Sequence, residues 1–401
     1  MKKITATLLA VFCFWLPVFS KAVLSQKSKV SLITCGPGEA LYEAFGHSAI
    51  RVYDPAQNLD VIFNYGVFDF NQSNFYLNFA KGNMLYCLGI SQTADFIYTY
   101  RYYGRSVREQ VLNLDSAERQ AVMNYLDKNL LPENKNYLYN YFRNNCSTKI
   151  PEMLDAALEK RVIWQPSDIS GKASYRSLIY QYTSFHPWGR LGIDLGLGSV
   201  IDSRIDGKQL NFLPVELEKS FNRARIRRDM TEFPLVLESN TLFEAPIFFG
   251  SSPFFSSPDT VFFLVLMASV LLWFFSGHFP PAFRIFRSIL LITCGMLGLV
   301  QSSIWFFTNH MDAAWNLNLL WTCPLLLIPG TISLFRKDRF QQVFQWLSYY
   351  FILLPGIWFF LPQTLNASLI PLVMAMGISC MPQRPEVSSK NKLIKSGNES
   401  V

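Results

Sequence analysis

The sequence has few charged residues, and this shortage limits what the protein can be. Only 16% of its 401 residues are charged and 50% are hydrophobic, against about 25% charged in typical soluble domains. A chain this apolar is neither disordered nor a highly charged nucleic-acid binder. The net charge of +7 comes from the N-terminus and from residues beside apolar segments, so nucleic acid is not expected as a partner. The composition indicates a protein with a membrane part.

The N-terminus has the pattern of a secretory signal peptide. Lys2 and Lys3 form a charged start, residues 5–19 are apolar, and Ser20 and Ala22 place small residues before a cleavage point. The apolar run is shorter than the roughly 20 residues of a membrane span, which favours cleavage near Ala22 over an uncleaved anchor helix. We expect this segment to be removed and the mature chain to begin outside the cytoplasm.

The C-terminal third is predicted to be an all-α membrane domain of five transmembrane helices. The apolar segments are 260–276, 285–307, 315–335, 344–361 and 366–381. Lysine and arginine follow the first, third and fifth segments, whereas the loops after the second and fourth contain neither. The positive-inside rule therefore places the C-terminal tail in the cytoplasm. The predicted organisation is a signal peptide (1–22), an extracytoplasmic domain (23–259), a five-helix membrane domain (260–383) and a cytoplasmic tail (384–401).

The extracytoplasmic domain is predicted to mix α and β structure. Alternating apolar residues predict strands at 31–35, 47–53, 60–65 and 105–112. Asp115 and Glu118 resemble a capping box at the start of a helix that ends near Leu130, and a further helix is predicted at 152–160. The pattern assigns no structure to residues 175–200.

Two residues of this domain are suited to nucleophilic chemistry. His47 opens a predicted strand, and Cys146 precedes a predicted helix. A helix N-terminus and an imidazolium both favour the thiolate, which is the nucleophilic form, and the imidazole can return the proton to a leaving group. Asn64 or Asp69 would orient the imidazole ring. Pro151 predicts a separate first turn at 146–149, with the regular helix starting near the proline and a weaker dipole at the cysteine.

Each candidate also has a structural interpretation, and a rival nucleophile exists. Cys146 could simply open a buried helix, and a strand histidine such as His47 could be satisfied by a backbone carbonyl. Cys35 lies close before His47, but it closes a buried strand and could pair with Cys87. His186 is more simply a packed loop residue. The cysteine spacing matches no zinc pattern, so neither a metal nor a cofactor is expected.

Several sequence blocks occur in an order that a known family shares. They are LITCGPG (32–38), AFGHSAIRV (44–52), FNYGVFDF (63–70) and NCST (145–148), with weaker matches at HPW (186–188) and GID (192–194). With the multi-span C-terminal region, they make the chain similar to the Lnb family of bacterial lipoprotein N-acyltransferases. The resemblance implies an α+β, circularly permuted papain-like periplasmic domain, similar to NlpC-type peptidases and lecithin–retinol acyltransferases. It also implies His47 as base and Cys146 as nucleophile, but it does not identify the third residue, for which we select Asn64.

The resemblance further implies an inner-membrane enzyme with a phospholipid as acyl donor and a diacylglyceryl lipoprotein as acceptor. Cys146 would carry the acyl group as a thioester, and the backbone N–H of Cys146 or Ser147 would hold the oxyanion. Two aromatic groups are candidates for an acyl groove: Phe68, Phe70, Phe75 and Tyr76, and Phe248, Phe249, Phe254 and Phe255. Two other functions stay open. One is a membrane-tethered cysteine amidase or peptidase acting on cell-wall peptides, and the other is a non-catalytic membrane scaffold.

Overall fold

The computed structural model describes residues 23–68, 74–246, 254–335 and 341–385. The predicted signal peptide, Asp69 and nearly all of the predicted cytoplasmic tail lie outside the described residues.

A seven-stranded antiparallel sheet organises the N-terminal part of the chain. The described residues of this part form ten strands in all, seven in the large sheet and three in a smaller one: β1 (Lys29–Cys35), β2 (His47–Asp54), β3 (Leu59–Phe68), β4 (Leu85–Gln92), β5 (Val107–Leu112), β6 (Asn136–Leu138), β7 (Val162–Ile163), β8 (Arg225–Arg228), β9 (Thr231–Pro234) and β10 (Val236–Phe243). The large sheet has the order β10-β5-β1-β2-β3-β4-β6, and β7, β8 and β9 form a small second sheet. The four strands predicted from alternation correspond to β1, β2, β3 and β5.

Helices cover both faces of the large sheet. The helices of this part of the chain are α1 (Phe75–Lys81), α2 (Thr93–Tyr102), α3 (Ser116–Leu130), α4 (Cys146–Ala157), α5 (Tyr175–Tyr182), α6 (Pro187–Gly196) and α7 (Pro214–Arg223). Those that pack on the sheet are α2, α3, α4 and α7. Successive strand residues point to opposite faces. Leu32 and Ile50 therefore pack with α3, α4 and α7, whereas Ile33 and Ala49 pack with Phe96 of α2 on the other face. The predicted capping box of Asp115 and Glu118 starts α3.

Within the described residues, six α-helices follow the sheet domain. They are α8 (Pro258–Phe274), α9 (Pro280–Phe307), α10 (Leu319–Thr322), α11 (Leu327–Phe335), α12 (Gln341–Leu353) and α13 (Ile370–Ser379). Among the described residues, only α9 is long and apolar enough to cross a membrane alone, while residues 258–274, 319–335 and 367–379 form shorter apolar helices. Prolines shorten two of the predicted spans, because Pro324 separates α10 from α11 and Pro355 follows the end of α12. The structure thus supports a helical C-terminal region, with only one helix of full spanning length.

The loops that lack lysine and arginine face the sheet domain. In the loop after α9, Asn318 donates to the carbonyl of Asp194 at 2.8 Å. In the loop after α12, Gln363 donates to the carbonyl of Leu197 at 3.0 Å. The turn after α8 lies with the end of α13, where the Arg384 N–H donates to Ser276 at 2.9 Å. The alternation of loops seen in the sequence therefore corresponds to two distinct ends of the helical region.

Residues 175–200, which the sequence pattern left unassigned, form the junction between the two regions. Arg176 of α5 is 1% exposed and its guanidinium contacts Asp194 at 2.7 Å and Asp202 at 3.0 Å. Asn366 of the helical region donates to the second oxygen of Asp194 at 2.8 Å. Leu191 of α6 belongs to the apolar core of the helical region. These contacts fix α6 between the sheet domain and the helical region.

Candidate active site

The structure brings His47, Asn64 and Cys146 together at one end of the sheet. His47 begins β2, Asn64 lies on the neighbouring antiparallel strand β3, and Cys146 is the first residue of α4, which packs against both strands. The His47 Nε2 donates to Asn64 Oδ1 at 2.5 Å. The imidazole also hydrogen-bonds the Cys146 side chain. Because Nε2 is engaged by Asn64, Nδ1 is the ring nitrogen that remains for the sulfur.

Two glycines shape the backbone around this group. Gly46 has φ +79°, and a Cβ there would lie 2.5 Å from the carbonyl oxygen of Cys35, so only glycine allows the chain to enter β2 at His47. Gly66 has φ +89° next to a register shift in the pairing of β3 with β4. A Cβ at Gly66 would lie 3.5 Å from the Cβ of Cys146. The irregular strand thus passes directly beside the cysteine.

The helix that carries Cys146 corrects one expectation from the sequence. Helix α4 runs without interruption from Cys146 through Pro151 to Ala157, so no separate first turn exists. The Asn145 side chain accepts the N–H groups of Ser147 and Thr148, and the Thr148 hydroxyl accepts the N–H of Asn145. This capping box anchors the helix at Cys146. Pro151 lies after the first turn and removes a single backbone donor, which the capped helix tolerates.

The electrostatics of the site favour a charged pair. Burial raises the pKa of the Cys146 thiol, but the His47 charge, the hydrogen bond from His47 and the N–H of Ser48 lower it more strongly, to about 7 from 9.0. Burial lowers the pKa of His47, whereas the Cys146 thiolate and the bond to Asn64 raise it above its ordinary value. The arrangement therefore favours a thiolate beside an imidazolium, which is the reactive form of a cysteine nucleophile.

Cys35 has the opposite environment. It is fully buried, and burial raises the pKa of its thiol far above the usual range, so it stays protonated. The suggested pairing of Cys35 with Cys87 is wrong, since both are free. Strands β2 and β3 lie between their strands, and at about 4.8 Å per strand this separation of about 14 Å exceeds the reach of a disulfide.

The other predicted residues fall in different places. His186 precedes α6 at the junction with the helical region. The Ser147 N–H is already bonded to Asn145 at 2.9 Å, whereas no hydrogen bond in the described part of the chain uses the N–H of Cys146. Phe68 packs on Tyr86 with ring centroids 4.8 Å apart. Of the other aromatic candidates, Phe70, Phe248 and Phe249 lie outside the described residues, as do the side chains of Phe75 and Phe254.

Three tyrosines around Cys146 escaped the sequence reasoning. Burial raises the pKa of Tyr137, Tyr139 and Tyr141, and the nearby Cys146 charge raises it further. Tyr139 stacks on Tyr86 at 4.1 Å. The hydroxyls of Tyr137 and Tyr141 are buried and have no hydrogen-bond partner in the described structure. Only Tyr137 lies on a strand, β6, and Tyr139 and Tyr141 belong to the loop that follows it, so no regular pattern marked them in the sequence.

The geometry defines a class of protein, one whose sheet domain holds a hydrogen-bonded cysteine–histidine pair. Residues 17–180 match the family model of the Lnb N-terminal periplasmic domain, and residues 250–386 match that of the Lnb transmembrane domain. These matches cover most of the chain and confirm the resemblance seen in the sequence. The chain belongs to the Lnb family and is an integral membrane protein with a periplasmic domain. No curated protein and no solved structure matches it.

Proposed function

We propose that the protein is a lipoprotein N-acyltransferase that uses Cys146 as its nucleophile. The observation that carries the proposal is the hydrogen-bonded His47–Cys146 pair, in which the pKa of the thiol is lowered to about 7, in a chain of the Lnb family. Most free cysteine side chains are protonated at neutral pH. A thiol whose pKa is lowered to about 7 is therefore a candidate for a chemical role.

The reaction has two steps. The Cys146 thiolate attacks the carbonyl carbon of a phospholipid ester, the ester C–O bond breaks, and the His47 imidazolium gives its proton to the departing lysophospholipid oxygen. The α-amine of the lipoprotein's diacylglyceryl-cysteine then attacks the thioester. An amide forms, the thiolate leaves, and His47 takes the proton from the amine. Asn64 holds the imidazole so that it faces the sulfur.

The oxyanion of both steps needs hydrogen-bond donors beside the sulfur. The Ser147 N–H is bonded to its cap, which leaves the Cys146 N–H as the backbone donor. The Tyr137 hydroxyl is the second candidate, since it is buried without a partner in the described structure. It lies 3.9 Å from the Cβ position of Gly66, the same point that is 3.5 Å from the Cβ of Cys146. Preorganised donors of this kind stabilise developing negative charge without reorganisation.

The fold supports delivery of both substrates from the membrane. In a permuted papain-like fold, the strand that carries the histidine precedes the helix that carries the cysteine, and β2 and α4 have this order. We further propose that the helical region forms five transmembrane segments in the bacterial inner membrane, with the sheet domain on the periplasmic side. Both substrates are then confined to the adjacent leaflet, and the membrane helices supply proximity.

A path of aromatic side chains leads away from the cysteine. Tyr139 lies beside Gly66, Tyr86 stacks on Tyr139, and Phe68 packs on Tyr86. Helix α1 contacts α9, and its Tyr76 is 84% exposed. We assign this path to the acyl chain. Phe255 of the second aromatic group is 86% exposed beside the start of α8, which suits a membrane interface better than a groove.

The test measures the mass of a lipoprotein's N-terminal lipopeptide in cells that lack other N-acylation. Cells carry the wild-type protein, Cys146→Ala, or the matched control Cys35→Ala. We expect one added acyl group on the α-amine with the wild type and with Cys35→Ala, and none with Cys146→Ala. Absence of the acyl group with well-expressed wild type would refute the acyltransferase and favour the peptidase. Full activity of Cys146→Ala would refute the nucleophile.

A further inference from the structure

The loop that leads into Cys146 is held by its own side chains. We call residues 139–145 the nucleophile loop. Asn140 and Asn144 exchange backbone hydrogen bonds at 3.2 and 2.9 Å. The Asn140 Oδ1 accepts the N–H groups of Phe142 and Arg143. Asn145 is the N-cap of α4, and its side-chain Nδ2 donates to the backbone carbonyls of Tyr141 and Phe212. The position of Cys146 therefore depends on the conformation of this loop.

One carboxylate from the membrane domain contacts the nucleophile loop. Asp312 lies in the turn Met311–Ala313 between α9 and α10. Its Oδ2 accepts from the Asn140 Nδ2 at 2.9 Å, and its Oδ1 forms an ion pair with Arg143. Asp312 is only 7% exposed. A buried carboxylate requires such charge-assisted partners, so the loop and the carboxylate stabilise each other.

The same membrane loop also contacts a second segment of the sheet domain. The Asn309 N–H donates to the carbonyl of Lys81 at 2.8 Å, and its side chain donates to Asn83 at 2.7 Å. His310 bonds the carbonyl of Phe79 at 3.1 Å. Phe79 and Lys81 lie at the end of α1, and Asn83 lies just beyond it. The loop after α9 thus contacts two segments of the sheet domain, the nucleophile loop and the end of α1.

We propose that Asp312 is a positioning residue, through which the membrane domain fixes the nucleophile loop and so completes the thiol site. The inference rests on the proposed role of Cys146, and it adds that the periplasmic domain depends on its membrane domain for reactivity as well as for location. Asp312 touches no substrate in this scheme. It acts through Asn140 and Arg143 on the loop that ends at the cysteine.

The test uses full-length protein in detergent and follows iodoacetamide alkylation of Cys146 against pH, with the modified site identified by mass spectrometry. We expect Asp312→Ala to move the midpoint of the pH profile of alkylation from about 7 towards 9.0, because a displaced nucleophile loop separates the thiol from His47. At pH 7 the thiolate fraction would then fall from about one half towards about one hundredth. Asn309→Ala removes the bond of the same membrane loop to Asn83; it is the matched control and is expected to keep the midpoint.

A second variant addresses loss of folding in Asp312→Ala. Asn140→Ala removes the partner from the periplasmic side and should raise the midpoint in the same direction. Combined with Asp312→Ala it should add less than the sum of the single effects, because both variants lose the same hydrogen bond between Asn140 and Asp312. An unchanged midpoint in both folded single variants would overturn the proposal. Alkylation does not require acyl transfer, so a wild type that transfers no acyl group while these shifts appear would refute the proposed function alone.

Discussion

Replacing His47 by alanine tests the origin of the reactive thiolate most directly. In the wild type, the charge and hydrogen bond of His47 are the largest influences that lower the pKa of Cys146, and burial opposes them. Without the imidazole, burial remains, so the pKa should rise from about 7 to at least the ordinary 9.0. The thiolate fraction at pH 7 would fall from about one half to about one hundredth, roughly fiftyfold.

Two effects of this change act on the alkylation rate in opposite directions. A thiolate of higher pKa is a better nucleophile, and a Brønsted slope of 0.4–0.5 predicts an increase of about six- to tenfold in the rate of the fully ionised thiol. The rate at pH 7 should therefore fall only about five- to eightfold, while the plateau at high pH rises. The midpoint of the pH profile is the cleaner readout, because it reports ionisation alone.

The assay is iodoacetamide alkylation of Cys146 in full-length protein between pH 5 and about 10.5, a range that brackets both expected midpoints. His186→Ala is the matched control, since His186 lies at the junction with the helical region and not beside the cysteine. Its midpoint should stay near 7. A midpoint that also stays near 7 in His47→Ala would refute the reasoning, and it would assign the low pKa to the N-terminus of α4.

Two further predictions concern stability, measured by unfolding of the purified protein in detergent. Gly66→Ala should lower the free energy of unfolding by about 1–2 kcal/mol, because φ is +89° and a left-handed conformation costs an alanine that much; an unchanged midpoint of unfolding would contradict this. Arg176→Ala should cost about 3–5 kcal/mol, because it leaves Asp194 and Asp202 buried without their cation. Burial raises the pKa of Asp194. When the pKa of a carboxyl group is higher in the folded state than in the unfolded state, ionisation of that group at higher pH lowers the stability of the fold. The loss in Arg176→Ala should therefore be smaller at pH 5 than at pH 8, and a loss independent of pH would contradict the reasoning.

Local pattern predicted much of the sheet domain. Alternating apolar residues located β1, β2, β3 and β5, because a strand buried on one or both faces must repeat its side chains with a period of two. The capping box at Asp115 located the start of α3, since it depends on residues within one helical turn. Short connections between strands imply antiparallel neighbours, so Asn64 could be placed near His47 before any coordinates were known.

Other features depend on contacts between distant parts of the chain. Residues 175–200 have no clear pattern of their own, because α5 and α6 are stabilised by the Arg176–Asp194 ion pair and by Asn366 of the membrane region. The strand order, which separates Cys35 from Cys87, follows from the packing of the whole sheet. Neither the structure of residues 175–200 nor the strand order could be predicted from a window of neighbouring residues.

The membrane region, the family and the pairing of a strand histidine with a later cysteine could all be predicted from the order of residues, because hydropathy and short motifs are local properties. The packed chain was needed to show that α4 begins at Cys146 under the cap of Asn145, and that three tyrosines lie near the thiol. It also placed Asp312 of the membrane domain against the nucleophile loop. The reason is physical: hydrogen bonds between residues separated by more than a hundred positions form only after the chain has packed.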